Sequence, residues 1–224
     1  MSLERMGMRE YALGAVDTRE ALRYAGCRGE PPAELQALLA DCVREALPAL
    51  ACRVCFDTFP VAVQGAEVDL GFARVHSSNL AKNLTGCGSA VLFAATVGLG
   101  LDRLIARYSR TAPSRALLLQ AIGAERIERL CDAFNEEVRA EARLAGQEAR
   151  PRFSPGYGDL PLGLQREIFR ALEPERRIGL TLNGSLLMSP TKSVTALIGI
   201  GPARGTDGTQ PGHDPAGQHD GGTP

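Results

Sequence analysis

Apolar residues recur along this chain at two different periods, and the places where the period changes divide it into elements. Thr18, ahead of a helix-favouring stretch that Gly26 closes, predicts a short helix, and Ala33 to Leu47 behind Pro31-Pro32 predicts a second. Alternation rich in β-branched and aromatic residues predicts a strand from Cys52 to Pro60. It also predicts a hairpin over Val61-Ala62-Val63 and Val68-Asp69-Leu70, with its turn at Gln64-Gly65. Ser78 precedes a short capped helix through Leu84. Ala90 to Thr96 is an unbroken apolar run of strand length, the pattern of a strand buried on both faces.

After Gly98-Leu99-Gly100 the helical period returns through Leu101, Leu104 and Ile105 and stops near Ser109. The longest helix starts at Ser114, with Leu117, Leu118, Ile122, Ile127, Leu130, Cys131, Phe134 and Val138 as its apolar stripe. Glu128, Asp132, Asn135 and Arg139 form a polar stripe beside it. A loop from Pro151 to Pro161, a helix around Leu164 to Leu172, and two β-like runs about Ser189-Pro190 complete the pattern. Strands and helices alternate without regular βαβ repetition, which predicts an α+β fold. The expected organisation is a helical leading segment over 1–50 that forms one domain with a core over 51–201. A Gly/Pro-rich tail follows over 202–224; without Leu, Ile, Val or Phe it buries too little to order itself.

The formal net charge of −1 offers no general attraction for nucleic acid or an anionic membrane. No run approaches the roughly 20 apolar residues of a membrane span, and the charged start MSLERMGMRE has no signal-peptide core. A cytoplasmic protein is therefore expected, with its six cysteines as reduced thiols. Cys52-Arg53-Val54-Cys55 has the spacing of a metal or dithiol pair. On a strand, residues three apart point to opposite faces, so core thiols are the expectation and no metal is predicted. Gly98-Leu99-Gly100-Leu101-Asp102-Arg103 sits where a dinucleotide fingerprint would, but Arg103 stands at the position of the third small residue. A glycine turn with Asp102 complementing a helix dipole accounts for it. His76 has no adjacent nucleophile motif, so no hydrolase triad and no catalytic residue is predicted. His213 and His219 in the tail lack the companions of a metal site.

Arg150-Pro-Arg152-Phe-Ser-Pro155-Gly156-Tyr157-Gly158-Asp159-Leu160-Pro161 is different in kind. Its prolines and glycines hold an irregular loop that presents main-chain groups. Arg152 offers a donor fork for a carboxylate, Tyr157 a ring and a hydroxyl, and Gly156 close main-chain approach. Ligand binding and a rigid interhelical connector both fit this composition.

Arg152-x-x-Pro155-Gly156-Tyr157, the helix with Ile168 and Leu172, Ile178-Gly-Leu180-x-Leu182 and Met188-x-Pro190-x-x-Ser193-Val194 together resemble the closing half of the activation domain of cobalamin-dependent methionine synthase. Ala95-Thr96-x-Gly98, Asp102-x-x-Ile105 and Ile127-Glu128 are similar to its short stand-alone members, so the resemblance spans about residues 75 to 201. It implies a mostly antiparallel twisted sheet with long helices, and S-adenosylmethionine held by Glu128, Arg152, Phe153, Ser154, Pro155, Gly156 and Tyr157. Arg152 would take the methionine carboxylate. The implied role is reductive methylation of a cobalamin carried by a separate methionine synthase chain or other corrinoid protein, with a flavodoxin-like electron donor and the chemistry at the partner's cobalt. The family's acidic contact near the domain start has no evident counterpart, Glu148 stands alone before the arginine loop, and Leu197-Ile198 replace aromatic residues. These departures imply the alternative of a non-catalytic corrinoid-protein partner that has lost S-adenosylmethionine binding.

Overall fold

The structure, a computed structural model, describes residues 6–203, so the expected tail with His213 and His219 lies, Pro202 and Ala203 apart, outside the described residues. The chain opens on a strand, β1 (Gly7–Glu10), followed by helices α1 (Thr18–Tyr24) and α2 (Ala33–Ala46). The leading segment thus contributes to the sheet as well as to the helical layer. Thr18 is the first residue of α1 rather than its cap. The Asp17 carboxylate accepts from the Arg19 and Glu20 amides, because Asp17 is the extended residue just outside the first turn, the position from which a side chain reaches the free N–H groups.

The long strand β2 (Arg53–Pro60) leads into a small antiparallel sheet of β3 (Ala62–Gln64), β4 (Glu67–Asp69) and β5 (Arg74–His76). Helix α3 (Ser78–Asn83) follows, capped by the Ser77 hydroxyl, which accepts from the Leu80 amide at 3.1 Å. Then come β6 (Ser89–Thr96), α4 (Leu99–Tyr108) and the 32-residue α5 (Pro113–Leu144). The chain closes through β7 (Gln147–Ala149), α6 (Gln165–Leu172), α7 (Pro174–Ile178), the short pair β8 (Thr181–Leu182) and β9 (Met188–Ser189), and β10 (Ser193–Pro202). No helix among the described residues is long and apolar enough to cross a membrane.

The main sheet is antiparallel throughout, in the order β1-β2-β6-β10-β7. Its central strands place alternate residues in two cores. Val54, Phe56, Val91, Phe93, Ala95, Ala196 and Ile198 face the core shared with α1, α2, α4 and α5, whereas Cys55, Ala90, Leu92, Ala94 and Leu197 face the one shared with α3, α6 and α7. The continuous apolar pattern of β6 follows from this two-sided burial, and each of its large side chains contributes about 1.5–3 kcal/mol. Cys52 and Cys55 fall in different cores, as the strand period requires. Burial pushes the Cys55 thiol up to about 11, which leaves little reactive thiolate. On α5 the apolar stripe is as expected except for Leu117, which is exposed.

Candidate functional site

Helix α5 lies over the sheet with its apolar stripe down and with Glu128 and Asp132 of its polar stripe at the edge facing α1. Two charged residues of α5 are buried all the same. Arg126 donates to the Gly14 carbonyl at 2.7 Å, to the Ala15 carbonyl at 3.1 Å and to Glu125, and Glu125 accepts from the Asp17 amide at 3.3 Å. Arg126 is 1% exposed and Glu125 4%. This pair straps the segment before α1 onto α5. Between α1 and α5 there remains a groove of about 590 Å³, lined by Ala15, Asp17, Glu20 and Tyr24 on one side and Glu125, Glu128, Arg129 and Asp132 on the other.

The arginine loop meets the same face of α5. Arg152 Nη2 donates to Glu128 Oε2 at 2.5 Å and Nη1 to Asp132 Oδ1 at 2.6 Å, one turn apart on the helix. Burial works against the charged guanidinium, but the hydrogen bond to Asp132 and the charges of both carboxylates outweigh it and raise its pKa. Beneath them Cys131 is pushed up to about 12 by burial, with Arg152 opposing. The guanidinium uses only part of its donor fork on these carboxylates among the described residues.

Phe153, the next residue, points the other way. It bridges to Leu197 at the edge of β10, each amide donating to the other's carbonyl at 2.9 Å, and buries its ring in the opposite core. Adjacent residues on an extended edge face opposite sides, and this puts Arg152 on α5. Pro155 is buried, while Gly156 and Tyr157 are exposed at the loop tip. The Tyr157 ring stands edge-on to Phe153, with centroids 5.4 Å apart, and is 69% exposed. Inside the loop the Gly156 amide donates to the Leu160 carbonyl, the Tyr157 amide to the Ser154 carbonyl, and the Leu160 amide to the Tyr157 carbonyl.

Of the residues singled out in the sequence, Glu128 and Arg152 are in contact, and Phe153 and Tyr157 form a ring pair. Glu148 pairs instead with the buried Arg150 at 2.9 Å. Several main-chain groups of the loop that the composition suggested were open to a ligand are engaged in its own turn and in the bridge to β10. The sequence reading missed Asp17, Glu20 and Tyr24, because no local signal shows which helix will face α5. Asp132 was visible as a member of the polar stripe but not as a partner of Arg152.

His76 ends β5 and pairs with Glu67 at the surface, and Gly98, at φ 88°, turns the chain into α4. No group of His, Cys, Asp or Glu among the described residues is arranged to hold a metal ion.

The crystal structure of the MetH reactivation domain bound to AdoHcy has the same fold. It matches with a TM-score of 0.66 at 18% identity, over 89% of this chain and 80% of that one. No curated protein matches the sequence. The sequence profile of the vitamin B12 dependent methionine synthase activation domain matches residues 81–204, a span that holds α5, the arginine loop and β10, and the chain belongs to that family.

Proposed function

We propose that this chain binds S-adenosylmethionine at the α5 edge and supports reductive methylation of a cobalamin held by a corrinoid-binding partner, a methionine synthase chain or a related protein. The observation that carries the reading is the Arg152–Glu128–Asp132 cluster beside the α1–α5 groove. An α-amino acid presents a carboxylate and an ammonium a few ångströms apart, and this cluster presents a guanidinium and carboxylates at the same scale. The remaining N–H groups of Arg152 suit the carboxylate, and Glu128 or Asp132 suits the ammonium. Acidic groups along the groove favour a sulfonium cation over a neutral ligand. A volume of about 590 Å³ is within the usual range for small-ligand sites, about 300–1,000 Å³.

In this reading S-adenosylmethionine supplies the methyl group, an electron comes from a flavodoxin-like donor, and bond making belongs to the partner's cobalt. The chain contributes position. Arg152 fixes the amino-acid end, Tyr157 offers an exposed ring at the loop tip, and Phe153 to Pro155 hold that tip against the sheet. No proton need move, which agrees with a site built from paired charges rather than from a perturbed acid or base.

Calorimetry with S-adenosylmethionine tests this. Wild-type protein is expected to bind, and Arg152→Ala to bind roughly 10- to 100-fold more weakly, the loss of a charge-assisted hydrogen bond of about 1.5–3 kcal/mol. Absence of binding by the wild type would favour the second reading, a corrinoid-protein partner without S-adenosylmethionine affinity. The internal pairing of Arg152 and of the Phe153, Gly156 and Tyr157 main chain favours that reading.

A further inference from the structure

The arginine loop is tied at both ends to one short helix. Where the loop begins, Asn83 Nδ2 at the end of α3 donates to the Pro151 carbonyl at 3.1 Å. Where it turns back, the Asp159 carboxylate accepts from the Ser77 hydroxyl, from the Ser78 amide at 2.7 Å and from the Asn79 amide at 3.2 Å. Between them, Gly158 at φ 57° lies so close to α3 that a Cβ there would fall 2.4 Å from Asn79 Nδ2. The helix itself is firmly seated. Leu80 and Leu84 are wholly buried, and the lack of a side chain at Gly199 on β10 admits Leu84, whose Cδ2 would lie 2.6 Å from a Cβ at that position.

The Ser77 hydroxyl caps α3 by accepting from the Leu80 amide, and Asp159 takes the Ser78 and Asn79 amides, two further N–H groups that a helix start leaves unpaired. A carboxylate from distant sequence adds a second set of bonds to the same N-terminus. Asp159 thereby ties the loop's return to the start of α3. The Ser77 hydroxyl and then the Asn79 and Ser78 amides hold its carboxyl below the usual carboxylate range, so it is ionised at neutral pH.

We propose that Asp159 is a positioning residue that, with the Asn83–Pro151 contact, makes α3 a splint for the arginine loop and sets where Gly156 and Tyr157 stand relative to Arg152. This role rests on the reading that the loop contacts S-adenosylmethionine. Arg152 is held from α5 and Phe153 from β10, so the tip from Gly156 to Gly158 is the part of the loop that neither of them fixes. Asp159 supplies that third point.

The test pairs calorimetry with S-adenosylmethionine and hydrogen exchange of the free protein, on wild type, Asp159→Ala, Asp159→Asn and a Val43→Ala control. Val43 lies on α2, against the opposite core from Phe153. In Asp159→Ala the Gly156, Tyr157 and Leu160 amides are expected to exchange about tenfold faster or more, and the Kd to rise roughly tenfold. The control loses thermal stability without either change, and Asp159→Asn, whose side-chain oxygen still accepts, recovers part of both. Unchanged exchange overturns the splint. Faster exchange with wild-type affinity overturns the positioning role. Failure of the wild type to bind overturns the ligand reading, and the positioning role with it, whatever the exchange shows.

Discussion

Arg126 is among the largest fully buried side chains of the protein, and it carries a charge. A buried ion pair is not in itself stabilising, since desolvation offsets most of the attraction. What the pair with Glu125 achieves is placement: the guanidinium satisfies the Gly14 and Ala15 carbonyls, and the carboxylate takes the Asp17 amide. Arg126→Met would strand Glu125 without its cation and leave two carbonyls without a donor. The expected cost is about 3–5 kcal/mol, read from the midpoint and slope of urea unfolding. Adding Glu125→Leu removes the unpaired charge, so the double variant should be more stable than Arg126→Met alone. A double variant no better than the single one would assign the cost to the backbone carbonyls instead of the charge.

Among the elements, those with a strong period were legible. Helix α5 shows its apolar stripe over many turns, and β6 its two-sided burial, so both could be placed from the pattern alone. The short edge strands β1 and β7 could not. Each spans only a few residues, and their strand state comes from pairing with β2 and β10, which no local pattern encodes. The cap of α1 stands one residue before Thr18 because Asp17 and Thr18 are both good capping residues, and only backbone geometry separates them. The same limit applies to the site: Arg152 and Glu128 were legible as candidates, their contact was not, and the α1 wall depended on tertiary packing. Gly98-Leu99-Gly100 was legible as a turn, and the structure supplies the reason for its second glycine. A Cβ on Gly100 would sit 2.2 Å from the Ala49 carbonyl oxygen, so α4 approaches the turn after α2 main chain to main chain. Gly100→Ala should therefore lower stability by about 1–3 kcal/mol in chemical unfolding and leave S-adenosylmethionine affinity unchanged, as expected of packing and not of a nucleotide loop.

Over the whole molecule, a near-neutral chain gathers five of its acidic groups at one edge. Asp17 caps α1 and Glu20 lies on it, Glu125, Glu128 and Asp132 come from α5, and they share the groove with Arg129, while Arg152 reaches Glu128 and Asp132 from the loop. Glu125 is paired with Arg126 and Glu20 with Arg23, and Arg152 offsets one of its two partner carboxylates, so the excess negative charge rests with Asp17 and the Glu128–Asp132 pair, set against Arg129. A sulfonium placed there gains attraction that a thioether does not. With several partly exposed carboxylates at distances of a few ångströms and an effective dielectric between that of a protein surface and of water, the difference is about 1 kcal/mol. S-adenosylmethionine should then bind about fivefold more tightly than S-adenosylhomocysteine at low salt. The preference should shrink as salt rises from about 0.01 M to about 1 M and the screening length falls from about 30 Å to about 3 Å. Competition calorimetry across that range measures both terms. A preference independent of salt would point to a buried, specific contact with the methyl group, and equal affinities at low salt would put the sulfur away from the α1–α5 groove, leaving Arg152 and the splinted loop to hold the ligand by its amino-acid end alone.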